Sequence, residues 1–353
     1  MNYPLVSICI PTYNRAAILR NSLETLLCQP EFLSKKVEIV ISDNASTDNT
    51  KEVCESLVSE YENFKYFRNE ENIQDRNFPL ALSHGTGILR KLFNDYYHYE
   101  KDALSYICEA AEKYYDEKPI LHFSNSAGSN LFLENIGMKE FLKNVSFFIT
   151  AIGTFSCWDV DCEDINEKDI SYCERNLWQV KKTLSFFEKK DSKAVILNKR
   201  IIICDQIIPK KNVTYGLFRV FHDNYLSILY EYVNNGLLDK STYDWLEEDL
   251  LMRHFKQWVI AFKLFKNYYI FSKDENLKKS IRQAYKNKPY YPEFKNKCRK
   301  TIQELNGNHT ISQEGFLFVK KSIKNIKKCI KNIIKKVIFY DKIKRFLPWK
   351  NKF

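Results

Sequence analysis

Four groups of polar side chains, each close behind a short apolar run, hold most of the chemistry this sequence can do. They are Pro11-Thr12-Tyr13-Asn14-Arg15, Asp43-Asn44-Ala45-Ser46-Thr47-Asp48, Asp75-Arg76-Asn77 and Asn94-Asp95-Tyr96. A carboxylate in such a place can accept from a ring N–H, or hold a divalent cation that also bridges two phosphates. An arginine can meet phosphate with its planar fork of donors. Each group alone could do no more than shape a turn or cap a helix. Two matched groups at the ends of successive runs weigh against that reading.

The elements that must position these groups follow from periodicity. Val6 to Ile10 and Val37 to Ser42 read as strands, and each is followed by a helical pattern, so the pair forms two β-α units of a parallel sheet. Ile18, Leu19, Leu23, Leu26 and Leu27 share one helical face, and Val53, Leu57, Val58 and Tyr61 share another. Asn14 and Asp48 are placed to start those helices. A third strand spans about Phe64 to Arg68, a helix Asn77 to Ser83, a fourth strand Ile88 to Phe93, and a helix about 103–115. Ile120 to Phe123 and Val195 to Cys204 read as further strands, and 215–266 as largely helical. In such sheets ligands collect outside the carboxyl ends of the strands, where the first two groups lie.

Pro11-Thr12-Tyr13-Asn14 and Asp43-Asn44-Ala45-Ser46-Thr47-Asp48 resemble the strand-end turns of the family 2 glycosyltransferases of GT-A fold, with the likeness strong through about residue 95. The resemblance implies an α/β fold, Rossmann-like, with a mostly parallel sheet flanked by helices. It implies a nucleotide-diphosphate sugar donor, a UDP-sugar by family habit, and Mg2+ or Mn2+ as cofactor. Residue by residue, Asp43 matches the family's nucleobase-contacting Asp, with Asn44 beside it. Pro11, Thr12, Tyr13 and Arg15 match the loop over base and ribose. Arg76 falls in the segment that precedes the metal motif. Asn94-Asp95-Tyr96 stands where the family has an Asp-rich cluster, leaving Asp95 as the metal-binding carboxylate, Asn94 to bond the ribose, and His98 or Glu100 as possible added ligands. An inverting transfer also needs a carboxylate base for the acceptor hydroxyl. Lys181 follows Gln179-Val180 where related enzymes place an Asp, and Asp159 and Asp161 rank first among the acids nearby.

Composition sets the remaining bounds. The chain has 353 residues, 44% of them hydrophobic, enough for a large core. Its ten cysteines show no metal-ligand spacing and read as buried thiols in a reducing cytoplasm. No apolar stretch is long enough to span a membrane, and no secretory leader pattern opens the chain. Charge is uneven: residues 317–353 carry twelve lysines and Arg345 against Asp341, so that segment is +12 while the whole chain is +11 and residues 1–316 sum to −1. A neutral body argues against nucleic acid as partner. Ile323, Ile326, Ile330, Ile333, Ile334, Val337 and Ile338 recur at helical spacing among the lysines, an amphipathic basic tail helix suited to an anionic membrane surface.

The expected organisation is therefore a nucleotide-sugar-binding catalytic domain over 1–214, a helical region over 215–300, and a linker with a membrane-associating tail over 301–353. The expected activity is inverting transfer to a lipid-linked oligosaccharide in capsule or O-antigen assembly, at the inner face of the cell membrane. The alternative is a degenerate GT-A protein that binds nucleotide or glycan as a scaffold.

Overall fold

The computed structural model describes residues 4–307 apart from 126–131, 163–171, 190, 204–215 and 265–275. The first half runs β1 (Val6–Thr12), α1 (Ala16–Leu27), α2 (Pro30–Leu33), β2 (Val37–Asp43), α3 (Thr50–Glu60), β3 (Phe64–Arg68), α4 (Asn77–Ser83), β4 (Leu89–Leu92), β5 (His98–Tyr99) and α5 (Ala103–Lys113). It continues with β6 (Ile120–Phe123), β7 (Leu133–Ile136), α6 (Met138–Val145), β8 (Ser156–Trp158), α7 (Asp159–Cys162), α8 (Trp178–Phe186), β9 (Ala194–Leu197) and β10 (Ile202–Ile203). Helices α9 (Tyr225–Asn234), α10 (Lys240–Asp249), α11 (Lys256–Leu264), α12 (Leu277–Tyr285) and α13 (Tyr291–Gly307) complete the described chain. Met1–Arg299 form one compact unit and Lys300–Phe353 another.

The central sheet has the order β3-β2-β1-β4-β8, parallel except for β8, which runs antiparallel to β4. β1 and β2 are covered on both faces, as central parallel strands must be. Ile8, Ile10, Ile39 and Ile41 pack with Leu19, Leu23 and Leu26 of α1 on one face. The intervening Cys9 and Val40 join Ala81 and Leu82 of α4 on the other, in a core that extends into α9–α13. Each fully buried Ile or Leu contributes about 1.5–3 kcal/mol. Gly87 permits the tight return into β4, since a Cβ there would lie 2.6 Å from the Ser7 nitrogen.

Several elements differ from the sequence reading. Val195 to Cys204 is not one strand: β9 pairs with β6 and β7, the polar Asn198-Lys199-Arg200 breaks the run, and β10 pairs with β5. The 215–266 region is interrupted by two π-helical turns, Arg219–Asn224 and Leu250–Phe255. Cys157 and Cys162 form a disulfide, which corrects the expectation that every cysteine is a free thiol; Cys9, Cys54, Cys108, Cys173 and Cys298 are buried thiols. No helix among the described residues is long and apolar enough to cross a membrane. The tail over 317–353 lies outside the described residues.

Candidate functional site

Strand register brings the first two polar groups together. Thr12 and Asp43 are paired neighbours at the ends of β1 and β2, and the Asn44 amide donates to the Thr12 carbonyl at 2.9 Å. On the other side of β1 the Phe93 amide donates to the Cys9 carbonyl at 2.9 Å, which carries the chain past β4 to Asp95. Strand order reverses between β1 and β4, and the crevice at such a reversal is where open α/β sheets take ligands.

Asp95 follows β4 at that reversal and is 2% exposed. The Thr12 hydroxyl donates to its Oδ2 at 2.8 Å, and Arg15 Nη1 donates to its Oδ1. The Arg15 guanidinium also lies over the Tyr96 ring at 5.1 Å. Burial pushes the Asp95 carboxyl above its ordinary value, against the opposing pull of Arg15 and the Thr12 bond.

The two strand-end loops are laced to each other. Asp48 is not the N-cap residue of α3, nor Asn14 that of α1; those positions belong to Asn49 and Arg15. The expected capping survives in crossed form, because Asp48 accepts from the Ala16 amide at 2.9 Å and the Thr50 amide at 3.1 Å, and so serves both helices. The Asn14 amide donates to Ser46 Oγ at 2.8 Å, and Asn14 Oδ1 accepts from the Thr47 amide at 2.7 Å. Asn14, Ala45 and Gln74 all hold left-handed backbone, a costly conformation that collects at functional loops.

Asp43 is fully buried: Oδ1 accepts from the Ser46 amide at 2.9 Å, and Oδ2 from Tyr66 Oη at 2.7 Å and Arg68 Nη1 at 2.9 Å. It therefore holds the loop in shape. Asn44 ties in the next loop, donating to the Gln74 carbonyl at 3.1 Å and accepting from the Ile73 amide at 2.8 Å. Pro11 is part-buried in β1, and Tyr13, two residues on, is 42% exposed. Arg76 is exposed, with Glu174 at 3.8 Å, while its neighbour Asp75 accepts from Asn176 Nδ2 at 2.8 Å. Burial raises the Asp75 carboxyl above its ordinary value. Asn94 is part-buried, and its carbonyl accepts from Tyr99 Oη at 2.8 Å.

A carboxylate oxygen suits a hard cation, and Asp95 already carries the guanidinium of Arg15 as a cationic partner. No group of three or more His, Cys, Asp or Glu gathers among the described residues, so a cation here would share Asp95 with donor phosphates and water. Glu100 adds nothing: it pairs with Arg200 at 2.9 Å, and His98 is in β5 opposite Ile203.

Asp159 and Asp161 are not brought to this site. β8 runs against β4, so its end lies at the amino edge of the sheet, where the Asp159 amide donates to the Ile88 carbonyl at 2.8 Å. β4 puts about 10 Å of strand between that edge and the next turn. Asp159 pairs with Lys118 at 2.8 Å and Asp161 with Lys189 at 2.6 Å. Asp161, Trp158 and both lysines line a separate cavity of about 620 Å³.

Residues 7–116 match the family model described as glycosyl transferase family 2. A 104-residue stretch is 40% identical to the abequosyltransferase RfbV of Salmonella typhimurium, covering 29% of this chain and 31% of that one. A 74-residue stretch is 35% identical to the GalNAc(5)-diNAcBac-PP-undecaprenol beta-1,3-glucosyltransferase of Campylobacter jejuni, covering 21% of this chain and 23% of that one. The chain thus spans under a third of the length of these curated relatives. Among solved structures, S. aureus TarS 1-349 in complex with UDP-GlcNAc superposes with a TM-score of 0.53 at 17% identity, over 74% of this chain and 75% of that one. That likeness is one of fold.

Proposed function

We propose, from the match of residues 7–116 to glycosyl transferase family 2, that the chain transfers a sugar from a nucleotide-diphosphate sugar to a growing bacterial surface glycan. The observation that carries this reading is the bonded cluster of Thr12, Arg15 and Asp95 at the point where strand order reverses. Tyr13 and Pro11 form the wall for base and ribose, Asn44 and Asp43 hold that wall, and Asn94 faces the ribose. Arg15 and Arg76 supply positive charge for the diphosphate. Mg2+ or Mn2+ on Asp95 would neutralise the leaving diphosphate. A UDP-sugar is the donor we favour, and the TarS complex with UDP-GlcNAc supports it through fold alone.

The acceptor we favour is a lipid-linked oligosaccharide of a capsule or O-antigen type, with inversion at the transferred sugar. The name of the Campylobacter jejuni relative includes a PP-undecaprenol carrier, which supports that class. The lysine-rich segment 317–353 would hold the enzyme on the inner face of the membrane, each lysine contributing about 1 kcal/mol near an anionic surface. We assign 1–214 to donor binding and catalysis, 215–300 to a helical region, and 301–353 to the linker and membrane tail. The scaffold alternative keeps one observation in its favour: Asp95 is the lone carboxylate of its segment and is already paired with Arg15.

A thermal-shift panel tests the reading, with UDP, CDP, GDP, dTDP and their sugar conjugates, each with and without Mn2+ or Mg2+. A ligand at 100 times its Kd stabilises by about 2.7 kcal/mol. The expected result is one metal-dependent nucleotide whose shift disappears in Asp95→Ala. Silence across the panel would favour the scaffold reading. Removal of residues 317–353 should release the protein from anionic vesicles; unchanged pelleting would remove the membrane assignment.

A further inference from the structure

Both oxygens of Asp95 are in use. Oδ2 takes the Thr12 hydroxyl at 2.8 Å, Oδ1 takes Arg15, and 2% of the residue is exposed. At 2% exposure the carboxylate has little open approach, and a cation arriving beside Arg15 meets a like charge. Thr12 is fixed within β1, whereas Arg15 stands on the loop between β1 and α1, beside the left-handed Asn14 and the exposed Tyr13. Its side chain is 12% exposed, against 3% for that of Asp95. Its hold on Asp95 is through Nη1, in contrast to Arg253, which grips Asp249 with Nε and Nη2 together.

We propose that Arg15 is an exchangeable counter-ion: it neutralises Asp95 in the nucleotide-free chain, then turns to the phosphates of an incoming nucleoside diphosphate and so uncovers Asp95 for the cation. The inference rests on the proposed function and adds an order of events to it, in which metal affinity is conditional on nucleotide. A buried carboxylate stripped of its partner is strongly destabilised, so Arg15 leaves only when a cation can replace it. Arginine and phosphate form paired, charge-assisted hydrogen bonds, which compensate the guanidinium for the carboxylate it gives up. Each charge therefore keeps a partner at every stage, and the coupling between nucleotide and metal is reciprocal.

The test measures binding on the full chain. Mn2+ binding is followed by electron paramagnetic resonance with and without saturating UDP, CDP, GDP or dTDP, and nucleotide binding by calorimetry in saturating Mn2+. For the wild type we expect Mn2+ to bind at least 10-fold tighter with the cognate nucleotide present. Arg15→Gln should move the two affinities in opposite directions, raising that of the nucleotide-free chain for Mn2+ at least 10-fold and lowering that for nucleotide at least 10-fold. Arg15→Lys, which keeps the charge on Asp95 but loses the fork, should leave Mn2+ weak while also weakening nucleotide. Nucleotide binding with Mn2+ affinity equal in its presence and absence would overturn the exchange and leave the functional reading standing. Mn2+ and nucleotide both weakened by Arg15→Gln would also overturn it. Failure of all four nucleotides to bind the wild type would remove the functional reading, and the exchange with it.

Discussion

At the amino edge of the central sheet Glu38 is 1% exposed, and at the carboxyl edge Asp95 is 2% exposed. Glu38 Oε1 accepts from Ser7 Oγ at 2.5 Å and the Thr86 amide at 2.6 Å, and Oε2 accepts from Lys65 Nζ at 2.6 Å. Burial alone would raise its carboxyl, but Lys65, Ser7 and Thr86 outweigh it and hold the group below its ordinary value. At Asp95 the balance runs the other way and burial wins. The partners differ in number and in place. Glu38 is held by strand residues and by a turn with no room for a Cβ at Gly87, whereas Asp95 depends on a loop arginine. Three donors whose pull outweighs burial make Glu38 a structural tie, and two that do not outweigh it leave Asp95 available for exchange.

Two substitutions should separate these roles. Asp95→Asn keeps the shape and removes the charge, and it should cut donor turnover by at least about 100-fold, the scale of losing a key electrostatic group. Its melting temperature should stay within a few degrees of wild type. A large loss of stability in that variant would make Asp95 a second Glu38. Glu38→Gln should lower stability in urea by about 2 kcal/mol at pH 7, with turnover per folded molecule unchanged. A lowered folded-state pKa means the native state resists protonation, so Glu38's contribution is present above the unfolded value of about 4.3 and fades as pH falls through the folded value. Wild type and Glu38→Gln should therefore converge in stability only once the pH is below the lowered folded-state value. A gap that persists there would point to packing in place of charge.

The comparison also marks what a sequence can reveal. β1 to β4 and their helices were legible because apolar alternation and helical spacing are local, and the strand ends then placed Thr12, Arg15, Asp43 and Asp95 on one edge. The pairing of Arg15 with Asp95 spans 80 residues and has no local signal. Nor has Lys91, which the pattern places in a buried strand: its amine is wholly buried, bonded to the Gly153 carbonyl at 2.6 Å and lying 4.5 Å from the Phe123 ring. Asn176, which holds Asp75, was equally silent. Asp159 and Asp161 emerge at the amino edge for a topological reason. Strand direction is not written in a three-residue run such as Ser156–Trp158, and β8 reversed the edge on which its end emerges.

That reversal yields the smallest effect expected and the most direct check on the division between the edges. Asp159→Asn and Asp161→Asn each remove one ion pair, with Lys118 and Lys189, at positions where side chains reach solvent. Such pairs contribute about 0–1 kcal/mol, so each variant should melt within a few degrees of wild type. Neither carboxylate shares an edge with Thr12, Arg15 and Asp95, so turnover should stay within about a factor of two. A residue acting as general base contributes about 100-fold or more, which leaves a wide margin between the outcomes. A drop of that size in either variant would mean that the acceptor hydroxyl is met at the amino edge. The reaction would then span both edges, and the contrast between Glu38 and Asp95 would no longer divide structure from function.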